Sequence, residues 1–420
     1  MDVISSKNVM HIVKKTLNLI DGRLINHGER VSYLMYKMLS FEGIYTREEI
    51  LQITITSMLH DIGAYKIEEL NDMLMFETRN VWRHSVYGYL FLKYLSPLSE
   101  YADMVLYHHL DFSKLKYIGS EYKDLAVKLN LADRIDVYLN HYEEKDLTNF
   151  LLDKRDTKIS SEAKELFIKV NKELDILGNI KNETYLEEMN QVYEEIIYTA
   201  KEKEMFLSML IYSIDFRSEY TVMHTITTVS AADEIGRLMG LNDLELKHLH
   251  FGALLHDIGK ISTPTQILEA PGKLTDEEMI IMKNHVKMSE YILNDYIKED
   301  ILEIAIRHHE KIDGSGYYRQ LKGEDLTRPQ RILAVADIVS ALCGKRSYKN
   351  SFHKEKILSI LKRDKEMGKL CPDVVDTVTD NFDDIMLNVN IFTEEPIRIY
   401  SEIRDKYNIL YEDLHNLEGL

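Results

Sequence analysis

"HFGALLHDIGK" (His250–Lys260) sets the fold class of this chain. Its apolar residues fall three and four apart, the spacing of a helix face turned to a core. "EMFLSMLIYSIDF" (Glu204–Phe216) repeats the pattern. No run of alternating β-branched residues bounded by hairpin turns is found. Five of the six prolines (Pro264, Pro271, Pro329, Pro372, Pro396) lie in the second half, and long stretches lack both Gly and Pro. The chain reads as all-α.

The same stretch has a copy. "SMLHDIGAYKI" (57–67) matches "ALLHDIGKIST" (253–263), and four further pairs keep the order. "INHGERV" near His27 matches "VMHTITTV" near His224, and "WRHSVYGYLFL" (82–92) matches "KNHVKMSEYIL" (283–293). "MVLYHHLD" (104–111) matches "IAIRHHEK" (304–311), and "NLADRIDVY" (130–138) matches "AVADIVSAL" (334–342). His60 to His256 is 196 residues and Asp133 to Asp337 is 204, so the offset stays near 200. Ordered matches at one period indicate a duplicated unit. Residues 1–200 and 201–385 are the expected domains, with a helical tail at 386–420 that packs or dimerises. Glu183–Phe216 holds neither Gly nor Pro. A continuous helix there, about 50 Å long at 1.5 Å per residue, would join the halves; a break near Lys201–Glu204 is the alternative.

With 420 residues, 45% apolar and 29% charged, the chain has the composition of a folded two-domain protein. No window holds the 18 or more apolar residues of a membrane span, and "MDVISSKNVMHIVKK" lacks the apolar core of a secretory leader. Cys343 and Cys371 form no disulfide framework, which places the chain in a reducing cytoplasm. The net charge of −18 repels nucleic-acid polymers. An anionic ligand needs metals or local cations to reverse that field.

The second half carries His224, His256, Asp257, His285, His308, His309 and Asp337. Five imidazoles and two carboxylates on separate helices are the ingredients of a two-metal site, and suit Fe, Mn, Zn or Ni. Asp257 is the expected bridge, because each of its oxygens can hold one ion. Asp337 lies inside the apolar run "RILAVADIVSAL", where an unpaired carboxylate is costly. The first half repeats the set as His27, His60, Asp61, His84, His108, His109 and Asp133. In "HHEKIDGSGYYRQLKGEDL" (308–326), Gly314 and Gly316 let backbone approach a phosphate or base. Tyr317 offers a face to a purine.

The order His, His-Asp-x-x-Lys, His, His-His-Glu, Asp-Gly-x-Gly-Tyr, Ala-Asp over Met205–Phe382 resembles the HD-GYP family of the HD phosphohydrolases. The resemblance implies an all-α fold and two or three metals, usually iron or manganese. It also implies hydrolysis of a cyclic dinucleotide, chiefly cyclic di-GMP, to the linear dinucleotide or the mononucleotide. Lys260 would bind the scissile phosphate, making it and Asp257 the catalytic pair, while Arg346 and Lys349 match family positions that hold phosphates. Three departures stand out: Gly316-Tyr317-Tyr318 replaces Gly-Tyr-Pro, which frees the loop; Ser340 stands where many members have Asp; and Tyr220 stands where three-metal members have Glu, which predicts two ions. In the first half Ala64 replaces the lysine, the glycine loop is missing, and Tyr142 stands in the place of Arg346, although Lys145 matches Lys349. That half is expected to keep metals, with iron first and manganese second as in its neighbour, and to regulate. The competing readings are a non-catalytic metal-containing sensor and an HD-type mononucleotide phosphohydrolase.

Overall fold

Capping boxes mark where the helices begin. Thr46 with Glu49, Asn242 with Glu245 and Thr275 with Glu278 each bond reciprocally across the first turn. The computed structural model describes residues 3–19, 25–66, 82–153, 158–216, 222–270, 272–343 and 352–418; Tyr220, Arg346 and Lys349 lie outside them. Among the described residues every regular element is helical, and one isolated bridge, Asp313 to Lys322, closes the loop after His309.

The elements repeat in order. His27–Glu42, Arg47–Met58, the 3₁₀ turn Ile62–Lys66, Trp82–Leu95, Ala102–Leu106 and Lys123–His141 make the first set. Val222–Leu238, Asp243–Leu255, the 3₁₀ turn Ile258–Ser262, His285–Leu293, Glu299–Ile306 and Arg328–Cys343 make the second. Two compact units result: Met1–Ile12 with Leu210–Ser401, and Val13–Met209 with Glu402–Leu420. In the first of these Ala231, Ile235, Leu249, Ala253, Leu333 and Val339 share one core with Val374 and Val378. In the other, Val31, Leu34, Met38, Ile53, Leu129 and Ile135 are fully buried.

Of the two readings of Glu183–Phe216 the broken one holds, with the break a few residues earlier than Lys201–Glu204: the helices are Tyr185–Glu195 and Ala200–Asp215. Thr199 and Glu202 are the reason. The Thr199 amide and hydroxyl both donate to the Glu202 carboxylate, and the Glu202 amide donates to Thr199 Oγ1 at 3.2 Å. That is a new helix start, three residues from the interior it interrupts. The tail belongs to one helix, Phe382–Glu418, which passes through Pro396. Its last turns pack on Trp82–Leu95: the Tyr407 ring stacks on Tyr87 at 4.2 Å, and Ile403 and Leu414 are buried.

Both "HDIG" glycines serve one contact. A Cβ on Gly259 would lie 1.9 Å from the carbonyl oxygen of His285 and 2.5 Å from the amide of Ser289. On Gly63 it would lie 2.0 Å from the carbonyl oxygen of His84 and 2.5 Å from the amide of Gly88. Only glycine lets the turn after the His-Asp pair touch the helix bearing the next histidine. Gly259→Ala should therefore cost about 3 kcal/mol, the upper end for overpacking, and lower the melting temperature by several degrees. Gly236→Ala, where the Cβ would meet only leucine methyls at 2.9 Å or more, should cost less. Equal melting temperatures for the two variants would contradict the assignment.

Candidate metal centres

The imidazoles are aimed by helix ends. Carbonyls of a helix's last turn have no helical partner, and each accepts from a histidine three residues on. His256 Nδ1 donates to Ala253 O at 2.6 Å, His285 to Met282 O at 2.6 Å and His308 to Ala305 O at 2.6 Å. His60 donates to Ser57 O at 2.8 Å and His108 to Val105 O at 2.6 Å. A carbonyl only accepts, so Nδ1 carries the proton and the Nε2 lone pair points inward.

In the second half those lone pairs surround Asp257. Its Oδ2 lies 3.1 Å from His256 Nε2 and 3.7 Å from His224 Nε2; its Oδ1 lies 3.4 Å from His285 Nε2 and 3.9 Å from His308 Nε2. The two oxygens thus face two different pairs of imidazoles. Asp337 closes the far side, with Oδ1 at 3.1 Å from His224 Nε2 and Oδ2 at 3.6 Å from His309 Nδ1. All seven expected residues meet in one cluster. Burial alone would raise Asp257, but His256 and Lys260 outweigh it and hold its carboxyl well below the usual range. Burial pushes His309 down to about 3.

The first half repeats the plan. Asp61 Oδ2 lies 3.5 Å from both His27 Nε2 and His60 Nε2, and Oδ1 lies 3.7 Å from His84 Nε2. Asp133 Oδ1 lies 3.4 Å from His27 Nε2, and His109 Nε2 lies 2.9 Å from His84 Nε2. His108 is buried beside them and pushed down to about 3 by that burial.

These contacts do not balance as hydrogen bonds. His256 Nε2, His108 Nε2, Asp257 Oδ1 and Asp61 Oδ1 are buried without a hydrogen-bond partner. His285 Nε2 faces His308 Nε2 at 3.4 Å, lone pair to lone pair. Burying acceptors against acceptors is costly unless a cation lies between them. Within each half, groups of three side chains such as His285, His308 and His309, or His84, His108 and His109, bring their ligand atoms within 4.8 Å of one another. The donor sets fit divalent metals in both halves.

Lys260 is placed by the 3₁₀ turn. Three residues per turn set it directly over Asp257, and its Nζ lies 2.5 Å from Asp257 Oδ2. Burial alone would lower its pKa, but Asp257, Asp215 and Asp337 raise it and keep it charged. Asp215, at the end of Ala200–Asp215, is itself pushed up to about 7 by burial. In the first half Ala64 occupies the same step of the turn, with its amide on Asp61 O at 2.8 Å.

The lip is held more firmly than the missing proline suggests. Buried Glu310 accepts from the amides of Arg319 at 2.7 Å and Leu321 at 3.0 Å. Gly316 packs on the loop's own stem, where a Cβ would lie 2.5 Å from Glu310 Cα, and Gly314 turns the chain at φ +80°. The two glycines are thus explained by the loop's internal geometry. Tyr317 lies against the His309 ring at 4.6 Å, with the Lys283 ammonium 5.0 Å from its ring centre. Tyr318 bonds Glu290, and Lys287 and Arg319 each lie 5.7 Å from its ring.

Elsewhere the first half offers less. Tyr142 is exposed, and Lys145 pairs with Glu143 on the surface at 2.6 Å. After His109 the chain enters a 3₁₀ turn, Phe112–Tyr117. Two functional candidates escaped the sequence reading. One is Glu310. The other is Asp136, whose Oδ2 accepts from His27 Nδ1 at 2.7 Å. Burial alone would lower His27, but hydrogen bonds to Asp133, Asp136 and Asp61 hold its pKa well above the ordinary value. The i, i+3 spacing of Asp133 and Asp136 on one helix was the available signal.

Models of the HD domain match residues 24–138 and residues 208–374. The chain is a tandem HD-domain protein of the HD-GYP family. A 3'3'-cGAMP-specific phosphodiesterase 1 of Vibrio cholerae is 28% identical over 405 residues, covering 90% of this chain and 92% of the relative. A cyclic di-GMP phosphodiesterase of Thermotoga maritima is 37% identical over 182 residues, covering 41% of this chain and 48% of that protein. The crystal structure of a cyclic GMP-AMP specific phosphodiesterase of V. cholerae, 17% identical, superposes with a TM-score of 0.58 over 91% of this chain and 98% of its own. At that identity the likeness shows the shared all-α fold.

The Glu310 contacts can be measured directly. Hydrogen bonds to a charged acceptor contribute about 1.5–3 kcal/mol each. Glu310→Ala should therefore speed hydrogen exchange at the Arg319 and Leu321 amides by roughly 10²-fold, since 1.4 kcal/mol is tenfold, and leave exchange in Arg328–Cys343 unchanged. Protection equal to that of the parent protein would remove Glu310 as the anchor.

Proposed function

We propose that the second half is a metal-dependent phosphodiesterase acting on a cyclic dinucleotide, and that the first half holds metal without turning that substrate over. One observation carries the reading: the two oxygens of Asp257 face separate imidazole pairs while charged Lys260 sits on the same carboxylate. His224, His256, His285, His308, His309 and Asp337 would complete the ligands of two divalent ions, iron first and manganese second. Such a pair supplies a nucleophile at neutral pH and offsets the charge of a phosphodiester.

The chain's own groups supply the rest. Water loses a proton as its oxygen bonds to phosphorus, the bond from phosphorus to the ribose 3′ oxygen breaks, and that oxygen takes up a proton. Lys260 binds a non-bridging oxygen of the scissile phosphate, where negative charge grows. Lys283 and Lys287, from the neighbouring helices, and Arg319 of the lip surround Tyr317 and Tyr318. Cations beside aromatic faces suit a ligand with a second phosphate and flat bases, and Arg346 and Lys349 are proposed to add to them. Relatives are named for 3'3'-cGAMP and for cyclic di-GMP. Cyclic di-GMP is the first substrate to test, 3'3'-cGAMP the second.

In the first half His27, His60, Asp61, His84, His108, His109 and Asp133 would hold the metal. Ala64 in place of Lys260 and a 3₁₀ turn in place of the lip remove substrate handling. No described helix is long and apolar enough to cross a membrane.

Lys260→Ala should leave bound metal unchanged and slow turnover of cyclic di-GMP or 3'3'-cGAMP by roughly 10²–10³-fold. Chromatography of products and metal analysis decide it: an unchanged rate removes Lys260 from the reaction, and lost metal makes it a structural residue. Asp257→Ala should abolish hydrolysis and remove at least one ion per chain, yet metal should remain in the first half. A fully active Asp257→Ala protein would end the bridging assignment, and a metal-free one the first-half assignment.

A further inference from the structure

The two ligand shells are built from the same seven residue types in the same order and differ sharply behind one histidine. On Lys123–His141, Asp133 and Asp136 stand one turn apart. On Arg328–Cys343 the same places, 204 residues on, hold Asp337 and Ser340. His27 Nδ1 donates to Asp136, whose two oxygens Arg30 also grips, with Nε at 2.5 Å from Oδ1 and the terminal amino group at 2.9 Å from Oδ2. Arg30 lies on the same helix as His27, three residues on, and Asp136 is 1% exposed. The triad is closed and fixed.

In the second half His224 Nδ1 meets Ser340 Oγ at 3.0 Å, and the Ser340 hydroxyl donates to the His224 carbonyl at 2.8 Å. Thr227 stands 197 residues after Arg30, so no guanidinium completes a triad. Both arrangements leave Nε2 as the ligand atom. The acceptor behind it is a carboxylate in one half and a neutral hydroxyl in the other. His60, His108, His256, His285 and His308 all rest on carbonyls and provide no such contrast. A second difference has the same sign. Lys260 sits on Asp257 Oδ2, an oxygen that faces the metal side, whereas Ala64 occupies that step beside Asp61.

An anionic partner makes an imidazole a stronger donor, and such partners typically change metal affinity 10–100-fold. We propose that the two halves are built to hold metal unequally: the first half, through Arg30–Asp136–His27, keeps its metal while the second half exchanges its own. The phosphodiesterase site would then empty first when metal is scarce, and the first half would stay filled. This rests on the reading that both halves bind metal.

The test uses the full chain loaded with Mn²⁺ and dialysed against rising EDTA, with retained metal counted per chain. Two release steps are expected, roughly 10–100-fold apart in EDTA. The later step should vanish in His60→Ala and the earlier one in His256→Ala. Asp136→Asn should move the later step toward the earlier one. Ser340→Asp should move the earlier step to higher EDTA, a gain that misfolding cannot mimic and that stands even if Asp136→Asn unfolds. A single step, a reversed order, or Ser340→Asp without effect overturns the proposal. If His60→Ala instead keeps the parent's full metal content with one step, the reading of metal in the first half is what fails.

Discussion

Each half of this chain buries a set of lone pairs that point at one another. Nε2 atoms converge on a carboxylate, and between His285 and His308, whose Nδ1 atoms both donate to carbonyls, no hydrogen lies on the line of closest approach. Lys260 answers one oxygen of Asp257, but the imidazoles around it bring acceptors where water would have brought donors, and further positive charge must come from elsewhere. Much of the surrounding architecture follows from aiming those lone pairs. Helices stop where a free carbonyl can hold Nδ1, and a glycine in each "HDIG" lets the following turn touch the helix that brings the next imidazole. The His-Asp dipeptide is effective because it lies where a helix gives way to a 3₁₀ turn, which sends neighbouring side chains into one cluster and stacks Lys260 over Asp257.

The parts legible in the sequence were those written as residue identity at a constant offset. The all-α fold, the duplication and both sets of seven clustered side chains came from spacing alone. What stayed hidden depends on which backbone atoms are left over. Glu310 reads as a third polar residue after two histidines until the amides of Arg319 and Leu321 are seen to end on it. Asp136 was quoted within a matching segment and passed over, because its partner is a ring nitrogen 109 residues away. The loop after Tyr317 was expected to loosen without proline, yet its anchor lies outside the altered tripeptide. The break anticipated near Lys201–Glu204 falls just before Ala200, where Thr199 and Glu202 cap the new helix, a local signal that the absence of Gly and Pro obscured.

The halves diverge in a consistent way. Where the second half has Lys260, Glu310 and a bridged glycine loop, the first has Ala64, buried Leu110 and the turn Phe112–Tyr117. Side chains that would meet a ligand have changed, while those that converge on Asp61 have not. A duplicated copy drifting without constraint would lose the costly convergent histidines as readily as the lip, since five buried polar groups and two partly buried ones burden a core that has no use for them.

The tail has a consequence for the order of assembly. The unit that contains His27 also contains Glu402–Leu420, through the Tyr407–Tyr87 stack and buried Leu414. Translation delivers Val13–Met209 well before those closing turns, with Leu210–Ser401 of the other unit in between. The apolar surface on Trp82–Leu95 therefore waits uncovered while that intervening stretch emerges. Domains usually fold as units when they leave the ribosome; here one unit stays unfinished while most of another is made between its parts, an interval in which that helix is open to chaperones and to aggregation.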